Sequence, residues 1–226
     1  MGGSGSADDR DPKFQLKLKN TYWDDVNKGF TNDVEKYFND YTEHFVSGDH
    51  HYGSKASDRI TEGKQAGIAM VKSGEIKVSK SNHIMTIVMH SQGNAEGVGI
   101  AEGIIEQAKR QGVENVTVNL VFLSVHQPNE ISTEMKADLR KRGIQFTYAN
   151  DDNYFLQPMA KQKGSEAGLK GVSDANPTNK KHKNLKGKDE GGKAAHAATV
   201  DEPEAFDAIK KVDKEKKIYT IKPGSN

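Results

Sequence analysis

Apolar and polar residues alternate along this chain with a period that changes several times, and each change marks a predicted element. Phe14, Leu16 and Leu18 alternate with Gln15, Lys17 and Lys19, the period of two that a half-buried strand shows. Thr31 and Asn32 are placed to cap a short helix carrying Val34, Tyr37 and Phe38 on one face. Phe45 and Val46 predict a short strand closed by Ser47-Gly48-Asp49, and Ser57 to about Val71 reads as a helix with Ile60, Ala66 or Ile68, and Val71 inward. The centre of the chain is clearer. From His83 to Met89 runs Ile-Met-Thr-Ile-Val-Met behind the histidine, an apolar run suited to a strand covered on both faces. After a turn holding Ser91 and Gly93, the residues Val98, Ala101, Ile104, Ile105 and Ala108 recur at helical spacing, and Gly112 ends that helix. Val116 to Val125 predicts the next buried strand. Ile131, Met135 and Leu139 mark one more helix, ended by Gly143, and Ile144, Phe146 and Tyr148 alternate as a further strand that exits into Asn150-Asp151-Asp152. Between Lys161 and Lys193 the pattern dissolves into Lys, Gly, Asn and Ser, which predicts a mobile loop or a long excursion. Order returns at His196, with an amphipathic stretch through Phe206 and Ile209 and a last strand expected at Ile218 to Ile221.

Strand, helix, strand, helix, strand is the rhythm of an α/β domain with a mostly parallel sheet and helices on both faces. We expect a flexible lead-in over residues 1–12, Gly/Ser-rich from Met1 to Ser6, and one domain over 13–226 that carries the Lys/Gly-rich loop at about 161–193. The chain is polar, with 34% hydrophobic and 29% charged residues and a mean hydropathy of −0.81, so long solvated segments should surround its core. With 33 basic and 32 acidic residues the net charge is +1, which supplies no global field to steer nucleic acid. The absence of cysteine excludes disulfides, thiolate catalysis and Cys-ligated zinc. Neither a signal peptide nor a run long enough to span a bilayer is recognisable, so a soluble protein is expected, its compartment unassigned.

The stretch that carries chemistry is Met89-His90-Ser91-Gln92-Gly93-Asn94-Ala95. A serine on a tight turn between a buried strand and a helix has an exposed hydroxyl, and the amide of the next residue, Gln92, lies at the helix N-terminus where it can stabilise an oxyanion. Gly93, Ala95, Gly97 and Gly99 supply the small residues that such a crowded turn demands. In the Gly-x-Ser-x-Gly form of this nucleophile elbow, Met89 stands in place of the first glycine, so its side chain has to be accommodated by its surroundings.

His90-Ser91-Gln92-Gly93-Asn94, set between Ile84–Val88 and the following helix, resembles the elbow of lipase-like α/β-hydrolases. The order of elements also resembles hydrolase domains at the C-termini of bacterial RHS-repeat polymorphic toxins and secreted effectors. The resemblance implies an α/β-hydrolase fold and an ester-cleaving enzyme with a Ser–acid–His triad, in that chain order. Asp151 and Asp152 follow the Ile144–Tyr148 strand where the acid is expected; Asp152 is preferred for the Asn153-Tyr154 behind it, with Asp151 as the alternate. His126 precedes the acid, so its order is wrong. His182 lies among Lys180, Lys181 and Lys183, whereas His196, flanked by alanines that would let a loop approach the site, is the expected base. A second oxyanion amide is expected from the loop after the first strand, at Thr21, with Gly48-Asp49 in reserve.

The resulting expectation is hydrolysis of a carboxylic ester through an acyl-enzyme by Ser91, Asp152 and His196, without cofactor or metal. His50 and His51 are adjacent and match no helical metal-ligand spacing. Lipid or phospholipid esters are the substrate class the resemblance implies, and a delivered effector with an immunity partner is its further implication. The lysines of the 161–193 segment could bring peripheral contact with an anionic membrane; single-stranded nucleic acid is not expected, for want of interleaved aromatics. The alternative from another class is a binding module that keeps the hydrolase shape without the chemistry.

Overall fold

The apolar run Val116–Leu123 becomes the central strand β2, and its alternation divides the core in two: Val118, Leu120 and Phe122 point to one face, Val121 and Leu123 to the other. The computed structural model describes residues 19–23, 29–46, 54–79, 83–149, 151, 168–182 and 190–220. Around β2 lie β1 (His83–His90), β3 (Gly143–Phe146) and the two-residue β4 (Ser173–Asp174), in the order β1-β2-β3-β4, every pair parallel. Parallel neighbours need crossovers, and helices supply them. The chain is an α/β protein whose described residues form a four-stranded parallel sheet with helices on both faces.

One face is covered by α2 (Ala56–Ser73), α3 (Gly93–Arg110), α4 (Pro128–Glu134) and α5 (Ala137–Lys141), which pack Ile60, Ala95, Val98, Ile131 and Leu139 against the sheet. The other is covered by α1 (Phe30–Phe38), α6 (Glu190–Asp201) and α7 (Pro203–Lys216), whose Phe30, Phe38, Ala195, Ala198, Phe206 and Ile209 meet Val121, Leu123, Ile144 and Phe146. The helices α2 and α3 run parallel in close backbone contact. A Cβ on Gly63, Gly67, Gly99 or Gly103 would lie 2.1–2.3 Å from a carbonyl oxygen of the facing helix, so glycine is what lets them approach. Their N-termini therefore lie side by side at the end of the sheet where β1 delivers Ser91.

Several expectations need correction. Phe45 and Val46 have no regular structure, the helix read through Ile131–Leu139 is broken at Met135-Lys136 into α4 and α5, and residues 218–220 are not a strand. Helix α1 begins at Phe30 with Gly29 at its N-cap and no side-chain cap, and Thr31 is buried. The strand expected at Phe14–Leu18 and residue 221 lie outside the described residues, as do 47–53, which include His50, His51 and the reserve amide at Gly48-Asp49. Residues 168–182, read as part of a mobile loop or a long excursion, form a largely irregular excursion held down by buried polar side chains. The Gln145 amide bonds both the N–H and the C=O of Leu169, and Asn176 bonds the carbonyls of Thr147 and Lys180 and the Lys180 N–H. Leu169 and Val172 are buried in the core, and 190–193 already belong to α6. Among the described residues no helix is long and apolar enough to cross a membrane.

Candidate active site

Strand β1 ends on His90, and Ser91 adopts φ +55°, the left-handed region that side chains other than glycine's rarely enter. Such a residue costs on the order of 1–3 kcal/mol and persists only where its surroundings fix it, and such strain clusters at functional sites. The fixing is visible. The Ser91 N–H donates to the Leu123 carbonyl at 3.1 Å, and the fully buried Asn94 donates from Nδ2 to the carbonyls of Ser91 (2.7 Å) and Leu123 (3.0 Å). Helix α3 starts at Gly93, so the Gln92 amide stands at its open end. Its neighbour α2 differs: the Glu130 carboxylate accepts from the Ala56 and Ser57 amides and closes that terminus. Among the described residues no carboxylate accepts from the first amides of the helix behind Ser91.

Met89, in the place of the usual glycine, is accommodated from the helix side. It is 3% exposed, and a Cβ on Gly97 of α3 would lie 2.4 Å from its sulfur. The space that a strand glycine would leave is supplied by a helix glycine one layer away.

Across the sheet end, His196 Nδ1 lies 2.9 Å from Asp151 Oδ1. The carboxylate accepts, so Nδ1 carries the proton and Nε2 is left as the basic nitrogen. The Asp151 side chain is 6% exposed and that of His196 26%, the pattern of an orienting acid behind a solvent-reachable base. The carboxylate in contact with His196 is thus that of Asp151, the alternate; Asp152 lies outside the described residues. His196 rides on the helix α6 and not on a loop. Its ring centroid lies 4.6 Å from that of His90, which immediately precedes Ser91, so Ser91 and His196 lie at the same end of the sheet. Among the described residues no hydrogen bond joins Ser91 Oγ to His196.

His182 is buried beside Tyr148 and pairs through Nε2 with Glu202 at 2.9 Å. His126 is buried just past β2. Thr21 belongs to a one-turn π-helix, Lys19–Trp23, and no described contact ties it to Ser91. Among the described residues no group of His, Asp and Glu is arranged to hold a metal ion.

Sequence reasoning assigned no role to His90, Asn94, Ser124 or Thr199. Ser124, with φ +45°, follows β2, and its hydroxyl lies 2.9 Å from that of Thr199 and 3.2 Å from the His196 carbonyl. Gln127, with φ +54°, is tethered by the buried guanidinium of Arg59, which also bonds Ser54; burial holds that guanidinium below its ordinary pKa. These residues build the loop beside the elbow. Only the position of Asn94 in the second residue of the helix after a serine turn could have signalled one of them.

Comparison of the chain with protein families, with curated proteins and with solved structures gives no match in any of the three.

Proposed function

We propose that this protein is a serine hydrolase of α/β-hydrolase type that cleaves carboxylic esters with Ser91 as nucleophile, His196 as base and Asp151 as the orienting acid. The observation that carries the reading is the left-handed Ser91 between strand β1 and a helix N-terminus, at the end of the sheet where a histidine has one nitrogen engaged by a buried carboxylate. His196 Nε2 takes the Ser91 proton as Oγ attacks the ester carbonyl. The Gln92 amide stabilises the tetrahedral oxyanion, and His196 then protonates the departing alkoxide. Water, deprotonated by the same imidazole, releases the acid and restores the serine. Lipid or phospholipid esters are the proposed substrates, and delivery as a bacterial effector the proposed setting, both on the resemblance of the elbow.

A fluorophosphonate probe tests the reading. It should label the wild-type protein at Ser91 and leave Ser91→Ala unlabelled, with turnover of a short p-nitrophenyl ester lost in the same variant. Labelling that persists in Ser91→Ala would remove the nucleophile assignment. The second reading, a hydrolase-shaped binding module, draws on the missing hydrogen bond between Ser91 Oγ and His196. Such bonds are often long before substrate binds, and a folded wild-type protein that neither labels nor turns over ester would favour that module.

A further inference from the structure

We propose that His90 is a positioning residue that sets the spacing between nucleophile and base by holding the backbone of His196; this rests on the Ser91–His196 reading above. His90 Nε2 lies 3.0 Å from the His196 carbonyl oxygen. A carbonyl only accepts, so His90 carries its proton on Nε2 and donates. Burial, with the nearby His196, pushes its pKa down to about 3, and a neutral ring with one fixed donor results.

The acceptor is unusually well served. Thr199 Oγ1 also donates to the His196 carbonyl at 2.9 Å, and Ser124 Oγ lies 3.2 Å from it. A carbonyl has two lone pairs, and each hydroxyl has one proton. Within α6 that carbonyl also faces the helical N–H of Val200, so the His90 ring and the Thr199 hydroxyl share what the helical bond leaves, and Ser124 is placed to donate to Thr199 Oγ1, 2.9 Å away. Of these residues only His90 is the chain neighbour of Ser91. One hydrogen bond, spanning 106 residues of sequence, therefore joins the strand that ends in the nucleophile to the helix that carries the base. The tilted contact between the two rings, 52° between planes, then leaves the His196 ring its Asp151-facing orientation.

Two replacements separate the donor from the bulk. His90→Phe keeps a planar ring and removes the donor; His90→Gln keeps an amide donor of similar reach. The rate of fluorophosphonate labelling and kcat for the ester should fall about 100-fold in His90→Phe, the scale of a misplaced catalytic group. KM should stay near wild type, and His90→Gln should recover most of the loss. Thr199→Val, which keeps the shape of the side chain, should show a smaller loss of the same kind and serves if His90→Phe does not fold. Wild-type rates in His90→Phe, or equal losses in the Phe and Gln variants, would overturn the donor role. If the wild-type protein itself neither labels nor turns over ester, the hydrolase reading fails, and imidazole ¹⁵N shifts decide the positioning separately. His90 should then be neutral with its proton on Nε2, and the Nδ1 proton of His196, shared with Asp151, should move in His90→Phe. An unchanged His196 signal would refute the positioning.

Discussion

Replacing Asp151 by Asn removes one charge and almost no volume, which makes it the sharpest test of the acid. In the proposed reaction His196 becomes an imidazolium whose Nδ1 sits 2.9 Å from the carboxylate. With the two charges centred roughly 4 Å apart at an effective dielectric constant of about 20, their attraction is about 4 kcal/mol. Because 1.36 kcal/mol is a factor of ten in rate, Asp151→Asn should lower kcat/KM about 10³-fold. A further loss follows if the amide presents its NH2 to Nδ1, because the imidazole proton then moves to Nε2 and the base is masked. The assay is ester turnover and probe labelling of Asp151→Asn and Asp152→Asn side by side, with thermal melting as the control for folding. An Asp151→Asn protein within tenfold of wild type, next to an Asp152→Asn protein that loses 10³, would transfer the role to Asp152 and refute the reasoning.

Four further outcomes are expected. Gly99→Ala puts a Cβ 2.1 Å from the Ile60 carbonyl; overpacking of about 1–3 kcal/mol or more against a gain of about 1 in helix propensity should lower Tm by about 3–8 °C. A Tm at or above wild type would mean that α2 and α3 are not in backbone contact there. Gly97→Ala, which meets the flexible end of Met89, should destabilise the protein less when combined with Met89→Ala than the two single effects sum to, and additive losses in a double-mutant cycle would refute the contact. His90, with a folded pKa of about 3 against about 6.5 unfolded, binds its proton more weakly when folded, so stability falls as pH drops from about 6.5 toward 3, by up to about 1.4 kcal/mol per unit; urea titrations of wild type and His90→Phe should differ by that slope, and parallel curves would sink it. His182→Ala should lose about 1–3 kcal/mol of stability with ester turnover nearly unchanged, because its partner is Glu202, and a collapse of turnover in a folded variant would reopen its claim to be the base.

Much of the sheet was legible because apolar runs carried it. Val118–Val125 is buried throughout, His83–Met89 is only half-buried although its apolar run predicted cover on both faces, and the helix between them has an apolar stripe that the 3.6-residue period reveals. Ser91 and Gln92 could be read from the same local order. The structured part of the lysine-rich region could not be, because the side chains of Gln145 in β3 and of Asn176 within the segment hold it by bonding its backbone, and such side-chain hydrogen bonds leave no periodic trace. The split between α4 and α5 escaped for a related reason: Met135 is buried, as a continuous helix would also make it, so the apolar spacing is blind to the break. The acid was a choice between neighbours, and which of two adjacent carboxylates faces inward depends on the turn after Tyr148, where the Asp151 N–H bonds the Tyr148 carbonyl. Sequence patterns do not encode such a turn.

Because the proposed base belongs to a helix, it moves only as α6 moves. The first turn of that helix, Glu190-Gly191-Gly192-Lys193, contains two glycines, each costing about 1 kcal/mol in a helix interior, and it lies just over one turn before His196. Fraying from that end would bring disorder to the threshold of the imidazole while both core layers stayed packed. Inactivation on heating should therefore set in below the cooperative melt. Replacing Gly191 and Gly192 by alanine should raise the temperature at which turnover is lost more than it raises Tm.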